Sequence, residues 1–147
     1  MKSALIALLA FCLCWGVGCS KNLSEFEETK ALAEKGVAAA QHNLGVMYAD
    51  GEGVPQNFKE AVKWYRKAAE QGYEQAQYNL GIMHNKGDGV LPDYVTAYAW
   101  ANIAEANGFD VKKFEGQLEM KMTSEQIAKA EELLIEMIKK NPKLLNE

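Results

Sequence analysis

Three groups of residues carry enough chemistry to be weighed first. In "YADGEGVPQN", Tyr48 to Asn57, two carboxylates, Asp50 and Glu52, alternate with Gly51 and Gly53 ahead of Pro55. Such a loop could hold a cation or cradle a phosphate. The ligand spacing of a calcium loop is not met, however. Neither G-x-x-x-x-G-K nor a third glycine at the dinucleotide spacing follows. His42 and His84 are the only histidines and have no cysteine within reach in sequence, so a zinc site is not expected. No S-x-x-K occurs, and the serines have no base at a recognisable spacing. No catalytic residue, metal or cofactor is therefore expected.

The loop recurs 36 residues later as "HNKGDGVLPD", and the recurrence shows what it is for. Asp50 and Glu52 become Lys86 and Asp88, whereas both glycines and the following valine are kept. A ligand set would keep its charge; a bend keeps its glycines, which adopt positive φ cheaply. Laid at that interval, Gly36–Gln71 and Gly72–Asn107 agree at 13 of 36 positions, including Gln41/Gln77, Asn43/Asn79, Gly45/Gly81 and Trp64/Trp100. This marks an internal repeat.

Each unit reads as two helices. Ala40, Leu44, Met47 and Tyr48 make one apolar stripe; Phe58, Ala61, Val62, Tyr65, Ala68 and Ala69 make the next. Gly45 and Gly81 fall inside first helices, where glycine costs about 1 kcal/mol against alanine, so a close helix contact must offset it. Trp64 and Trp100 are the large surfaces expected to wedge successive units together. The mixed charges of Lys59, Glu60, Lys63, Arg66, Lys67 and Glu70 read as a solvated face.

The flanks read as caps. Phe26 and Ala33 stand where Val62 and Ala69 stand one period later, giving half a unit. At the far end Thr123 and Gln126 fit a capping box opening a helix with Ile127, Ala130, Leu134 and Met137 on its seam, stopped by Asn141-Pro142. Two units alone would be marginal, because such stacks are stabilised by burial between units. The caps make up the shortfall.

Composition narrows the partners. The formal charge is −4, without a basic patch, so nucleic acid is not expected. Lys2, then the apolar run Ala4 to Trp15, then "GVGC", reads as an export signal. The run is short for a bilayer span, which takes about 20 residues. All three cysteines, Cys12, Cys14 and Cys19, lie in this stretch, so the domain beyond it can hold no internal disulfide.

Two resemblances add to this reading. "GVGC" resembles the lipobox of bacterial lipoproteins, apart from Gly16, where leucine is usual. It implies lipidation at Cys19 and, with Ser20, an outer-membrane anchor facing the periplasm; the alternative is a soluble periplasmic protein. The pattern A-x-x-x-L-G-x-x-Y-x-x-G-x-G-V followed by A-x-x-W, over Lys30 to Gly108, resembles Sel1-like repeats, relatives of tetratricopeptide repeats. The second unit departs at His84 and Leu91. The resemblance implies an all-α solenoid of helical hairpins with N- and C-terminal capping helices, acting as a non-enzymatic adaptor for protein partners in the cell envelope. Some cysteine-rich Sel1-like proteins are described as β-lactam-binding, which leaves a binder or hydrolase of β-lactams or cell-wall fragments as the alternative. The divisions expected are 1–18 signal peptide, 19–24 tether, 25–35 half-repeat, 36–71 and 72–107 repeats, and 108–147 C-terminal cap. Partner contacts are expected at first-helix positions that differ between units: His42 against Tyr78, Tyr48 against His84, and Asp50 against Lys86.

Overall fold

The hairpin turns set the architecture. Helix α2 (Ala38–Asp50) stops at Gly51, which sits at φ 75°, and the amides of Gly51 and Glu52 both donate to the Met47 carbonyl. The chain then loops back until the Asn57 amide closes on the Tyr48 carbonyl at 2.7 Å. One period later α4 (Glu74–Lys86) stops at Gly87, φ 81°, and the Asp93 amide closes on the His84 carbonyl at 2.9 Å. The loop is a bend closed at both ends by its own backbone bonds.

Each bend launches a second helix through a side-chain cap. Asn57 accepts the Glu60 amide and starts α3 (Phe58–Ala69); Asp93 accepts the amides of Val95 and Thr96 and starts α5 (Tyr94–Ala106). The computed structural model describes residues 17–146, with side chains from Ser24 onward, and among these residues there are helices but no strand. Helix α1 (Val17–Glu34) precedes the first hairpin. Residues 19–24, expected as a tether, continue this helix: no glycine or proline interrupts the chain between Gly18 and Gly36. The leader segment and Cys12 and Cys14 lie outside the described residues, as does the side chain of Cys19.

Successive helices pack on one another, α1 on α2, α2 on α3, α3 on α4 and α4 on α5. The glycines inside α2 and α4 are where the pairs close in. A Cβ on Gly45 would stand 2.6 Å from the Tyr65 ring, and one on Gly81 would meet the Ala97 carbonyl at 3.1 Å and Phe114 at 3.2 Å. Trp64 is buried with Phe26, Ala33, Ala40, Leu44 and Met47. Trp100 is buried with Val62, Ala69, Ala76, Leu80 and Met83, the same five positions one period on. The two tryptophans therefore fill equivalent slots, and the half-unit α1 supplies the wall that α3 supplies later.

The C-terminal cap closes the stack. Helix α6 (Lys112–Glu119) buries Phe114 and Leu118 against Ala97, Tyr98 and Ala101. Thr123 and Gln126 form the expected reciprocal box and open α7 (Ser124–Lys140) along α5. Ala130 is buried beside Leu118, while Leu134 and Met137 pack on the central cluster around Trp100 and Ile103. A 3-10 turn, Pro142–Leu144, follows. No helix among the described residues is long and apolar enough to cross a membrane.

Candidate functional site: the faces of α2 and α4 and the turn before each

The four expected contact residues sit on α2 and α4, each half-buried and held by a different neighbour. His42 lies between the rings of Tyr65 and Tyr73, with centroids 5.7 and 5.2 Å away. Its Nδ1 faces Asn43 Oδ1 at 3.2 Å, and its Nε2 accepts from Asn79 Nδ2 at 3.1 Å. That pair of bonds suits the neutral ring. Burial lowers its pKa, opposed by the Asn43 bond and by Glu74. Asn79, shared in position with Asn43, ties one unit to the previous one through His42.

Tyr48 meets Phe26 of α1 edge-on at 5.7 Å. Tyr78 packs against Phe109 at 4.8 Å and Phe114 at 5.5 Å, so the cap encloses one side of it. His84 stands at the Tyr48 position with both ring nitrogens buried and unbonded to protein. Burial lowers its pKa; Asp93 works against that and Arg66 with it. Asp50 and Lys86, the third variable pair, come together with Tyr65, Asn79 and Asp88 around a cleft of about 190 Å³ between α2 and α4. Burial, reinforced by Asp50, pushes the Tyr65 hydroxyl up to about 12. Among the described residues no three His, Cys, Asp or Glu side chains gather as metal ligands would.

A second polar arrangement, at the turn before each first helix, was not foreseen. Gln77, 0 % exposed, donates from Nε2 to the Ala69 carbonyl at 3.1 Å and to the Leu144 carbonyl at 2.8 Å. Asn107 donates from Nδ2 to Gln77 Oε1 at 2.8 Å and to the same Leu144 carbonyl at 2.7 Å. Its Oδ1 accepts the Asn146 amide at 2.8 Å. Asn141 Nδ2 donates to the Glu70 carbonyl at 2.9 Å. Gly72 lies under this tail, so close that a Cβ there would meet the Lys143 carbonyl at 2.8 Å. Leu144 itself is 3 % exposed, in the cluster that holds Ala68, Ala69, Ala76 and Ile103. Gln77 and Asn107 thus read the carbonyl at the end of a 3-10 turn and the amide two residues on, while an apolar socket takes the turn's leucine.

A model of the Sel1 repeat family matches residues 4–25, 38–73 and 74–109. The chain belongs to the Sel1 repeat family. The last two ranges cover the two hairpins, and the first ends inside α1. Among solved structures, this Sel1-repeat chain is similar to a protective antigen present in uropathogenic Escherichia coli strains, described as having an SLR fold. The TM-score is 0.78 and the identity 38 %, over 83 % of this chain and 27 % of that one. It is also similar to a Sel1 repeat protein from Oxalobacter formigenes, with TM-score 0.57 and 38 % identity, over 61 % of this chain and 37 % of that one. The chain therefore spans about a quarter to just over a third of these relatives' lengths. No curated protein matches it.

Proposed function

We propose that the chain is a non-enzymatic adaptor whose product is a docking surface for protein partners. The observation that carries this reading is the pair of equivalent hairpins. Stacked units with Trp64 and Trp100 in matching slots hold α2 and α4 side by side and repeat the same surface at a fixed interval. Repeat stacks of this kind gain binding area by repetition rather than by a cavity. Membership of the Sel1 repeat family supports the same reading. The partner-facing residues proposed are His42, Tyr48, Tyr78 and His84, together with Asp50 and Lys86 around the cleft that Tyr65 and Asn79 share.

The place of action proposed is the bacterial cell envelope, with Cys19 acylated and the domain held at the outer membrane. An acyl chain contributes about 0.8 kcal/mol per buried CH₂, so several chains make attachment lasting. Mass spectrometry of the processed N-terminus checks this: a diacylglyceryl cysteine at position 19 supports it, and an N-terminus that lacks the acylated cysteine removes it. The adaptor role is tested by crosslinking and co-purification from native membranes with the wild type and with the His42→Ala, Tyr78→Ala, His84→Ala triple variant. Loss of specific partners in the folded variant is expected. Retention of every partner would remove these residues from the interface. Turnover of a chromogenic β-lactam or of muropeptides by the pure protein would overturn the adaptor reading altogether.

A further inference from the structure

The tail clamp at Gln77 and Asn107 has a counterpart one period earlier. Gln41 stands where Gln77 stands, 6 % exposed, and donates from Nε2 to the Ala33 carbonyl at 3.1 Å, as Gln77 does to Ala69. Gln71 stands where Asn107 stands and donates from Nε2 to Gln41 Oε1 at 2.7 Å, as Asn107 does to Gln77. The paired side-chain amides recur, though Gln71 Nε2 also donates to the Lys67 carbonyl at 3.4 Å where Asn107 donates to Leu144. Among the described residues, the second hydrogen of the Gln41 amide and the Gln71 Oε1 have no partner, where the later pair bonds Leu144 and Asn146. Gly36, at φ 91°, has none of the described residues within 4 Å of where a Cβ would stand, whereas Gly72 lies under the tail.

Among the described residues the apolar side chains beside it are exposed. Leu32, at the Ala68 position, is 47 % exposed, and Val37, at the Tyr73 position, is 45 % exposed. Lys67, at the position of buried Ile103, folds over the Trp64 ring with its ammonium 4.0 Å from the centroid. The bound tail also runs beside this region: Gln71 and the tail residues Pro142, Lys143, Leu145 and Asn146 line one open cleft of about 470 Å³.

We infer that Gln41 and Gln71, with the backbone at Gly36 and the Leu32–Val37 patch, form a second clamp that takes a short 3-10 turn ending in leucine from a partner protein. The chain's own tail in the next unit is the template for that segment. The Gln41 amide and Gln71 Oε1 meet its backbone carbonyl and amide, and the leucine lies on Leu32 and Val37. The clamp reads main chain plus one apolar side chain, so its selectivity rests on a tight turn and on a leucine-sized residue. This deepens the adaptor reading and rests on it.

The probe is a dye-labelled peptide with the sequence of residues 140–147, titrated with the full chain and followed by fluorescence anisotropy. In the full chain the later clamp is filled in cis, so the peptide is expected to bind saturably at the earlier one. Leu32→Glu and Gln71→Ala each change an exposed side chain, and circular dichroism verifies their folding. Each is expected to weaken binding at least about tenfold, as is Leu144→Ala in the peptide. Absence of saturable binding, or binding that survives both variants, would overturn the clamp. Loss of the clamp with envelope partners still co-purifying would leave the adaptor reading standing.

Discussion

The turns that precede α2 and α4 are built from the same residue types and end in different states. Before α4, Gln77 and Asn107 are saturated by the tail, Gly72 is covered and Leu144 fills the socket. Before α2, Gln41 and Gln71 hold one another, no described residue lies over Gly36, and Leu32 and Val37 are exposed. The repeat supplies donors that read main chain at every unit, and what lies over them is decided by position in the array. At the last unit the chain covers them itself. A buried amide left unbonded costs about 1–3 kcal/mol, which is why the end of the stack carries a tail that bonds it.

The sharpest way to break this contrast is at the two leucines. Leu144→Ala empties a buried socket and is expected to cost about 2–4 kcal/mol, within the range for large-to-small core changes. Leu32→Ala, at an exposed site, is expected to stay within about 0.5 kcal/mol. Urea unfolding at constant slope measures both, and equal losses would erase the distinction between covered and open turns.

The glycines give the next largest effect. Gly45→Ala drives a Cβ to 2.6 Å from the Tyr65 ring and is expected to destabilise by about 1–3 kcal/mol. Gly81→Ala meets Ala97 and Phe114 at 3.1 and 3.2 Å, so a smaller loss is expected there, offset in part by about 1 kcal/mol of helix propensity. Thermal melts of the pair decide it; the reverse order would mean that the first hairpin is the looser one.

The caps come next. Asp93→Ala removes an acceptor for two amides and for the Thr96 hydroxyl, Asn57→Ala an acceptor for one amide. Each is expected to cost about 1 kcal/mol, Asp93 the more. Burial pushes the Asp93 carboxyl up, but the bonds from Thr96 and Val95 and the nearby His84 outweigh it and hold the pKa below the usual value. The unfolded chain then binds the proton more tightly. The contribution of Asp93 is present above the unfolded carboxylate value and is lost as pH falls through the folded one. The Asp93→Ala deficit should shrink in acid.

The smallest effect concerns the histidines. Burial lowers the pKa of both His42 and His84, so the unfolded chain takes up protons first as pH falls below the ordinary value of 6.5. Stability is expected to decline from that point until the folded pKa values are passed. In His42→Gln with His84→Tyr the profile from pH 7.5 to 5.5 should flatten, as read from melting temperature. An unchanged slope would place the titration elsewhere.

The hairpins, the tryptophan slots, the half-unit at Phe26 and Ala33 and the box at Thr123 were legible in the sequence, because each rests on periodicity or on a local motif. The tail was not. "NPKLLN" has no period, and its main partner, Gln77, lies 67 residues before Leu144. The match of Gln41 with Gln77 was visible, but whether a shared glutamine bonds its own turn or a distant strand of chain is fixed only by tertiary packing. The positions His42, Tyr48, Tyr78 and His84 were found by how they vary between units. Variation does not report burial, and each is half-enclosed by its own neighbours. Asn57 and Asp93 are ordinary capping residues at identical places in the two units, a signal that the recurrence of the loop alone could have supplied.

The contrast between the two turns is tested most directly by nuclear magnetic resonance of the nitrogen-15-labelled full chain during addition of the residue 140–147 peptide. The side-chain amides of Gln41 and Gln71 and the backbone amide of Gly36 are expected to shift, with Gln77 and Asn107 unmoved. Shifts centred on Gln77 and Asn107, or none at either turn, would contradict the account.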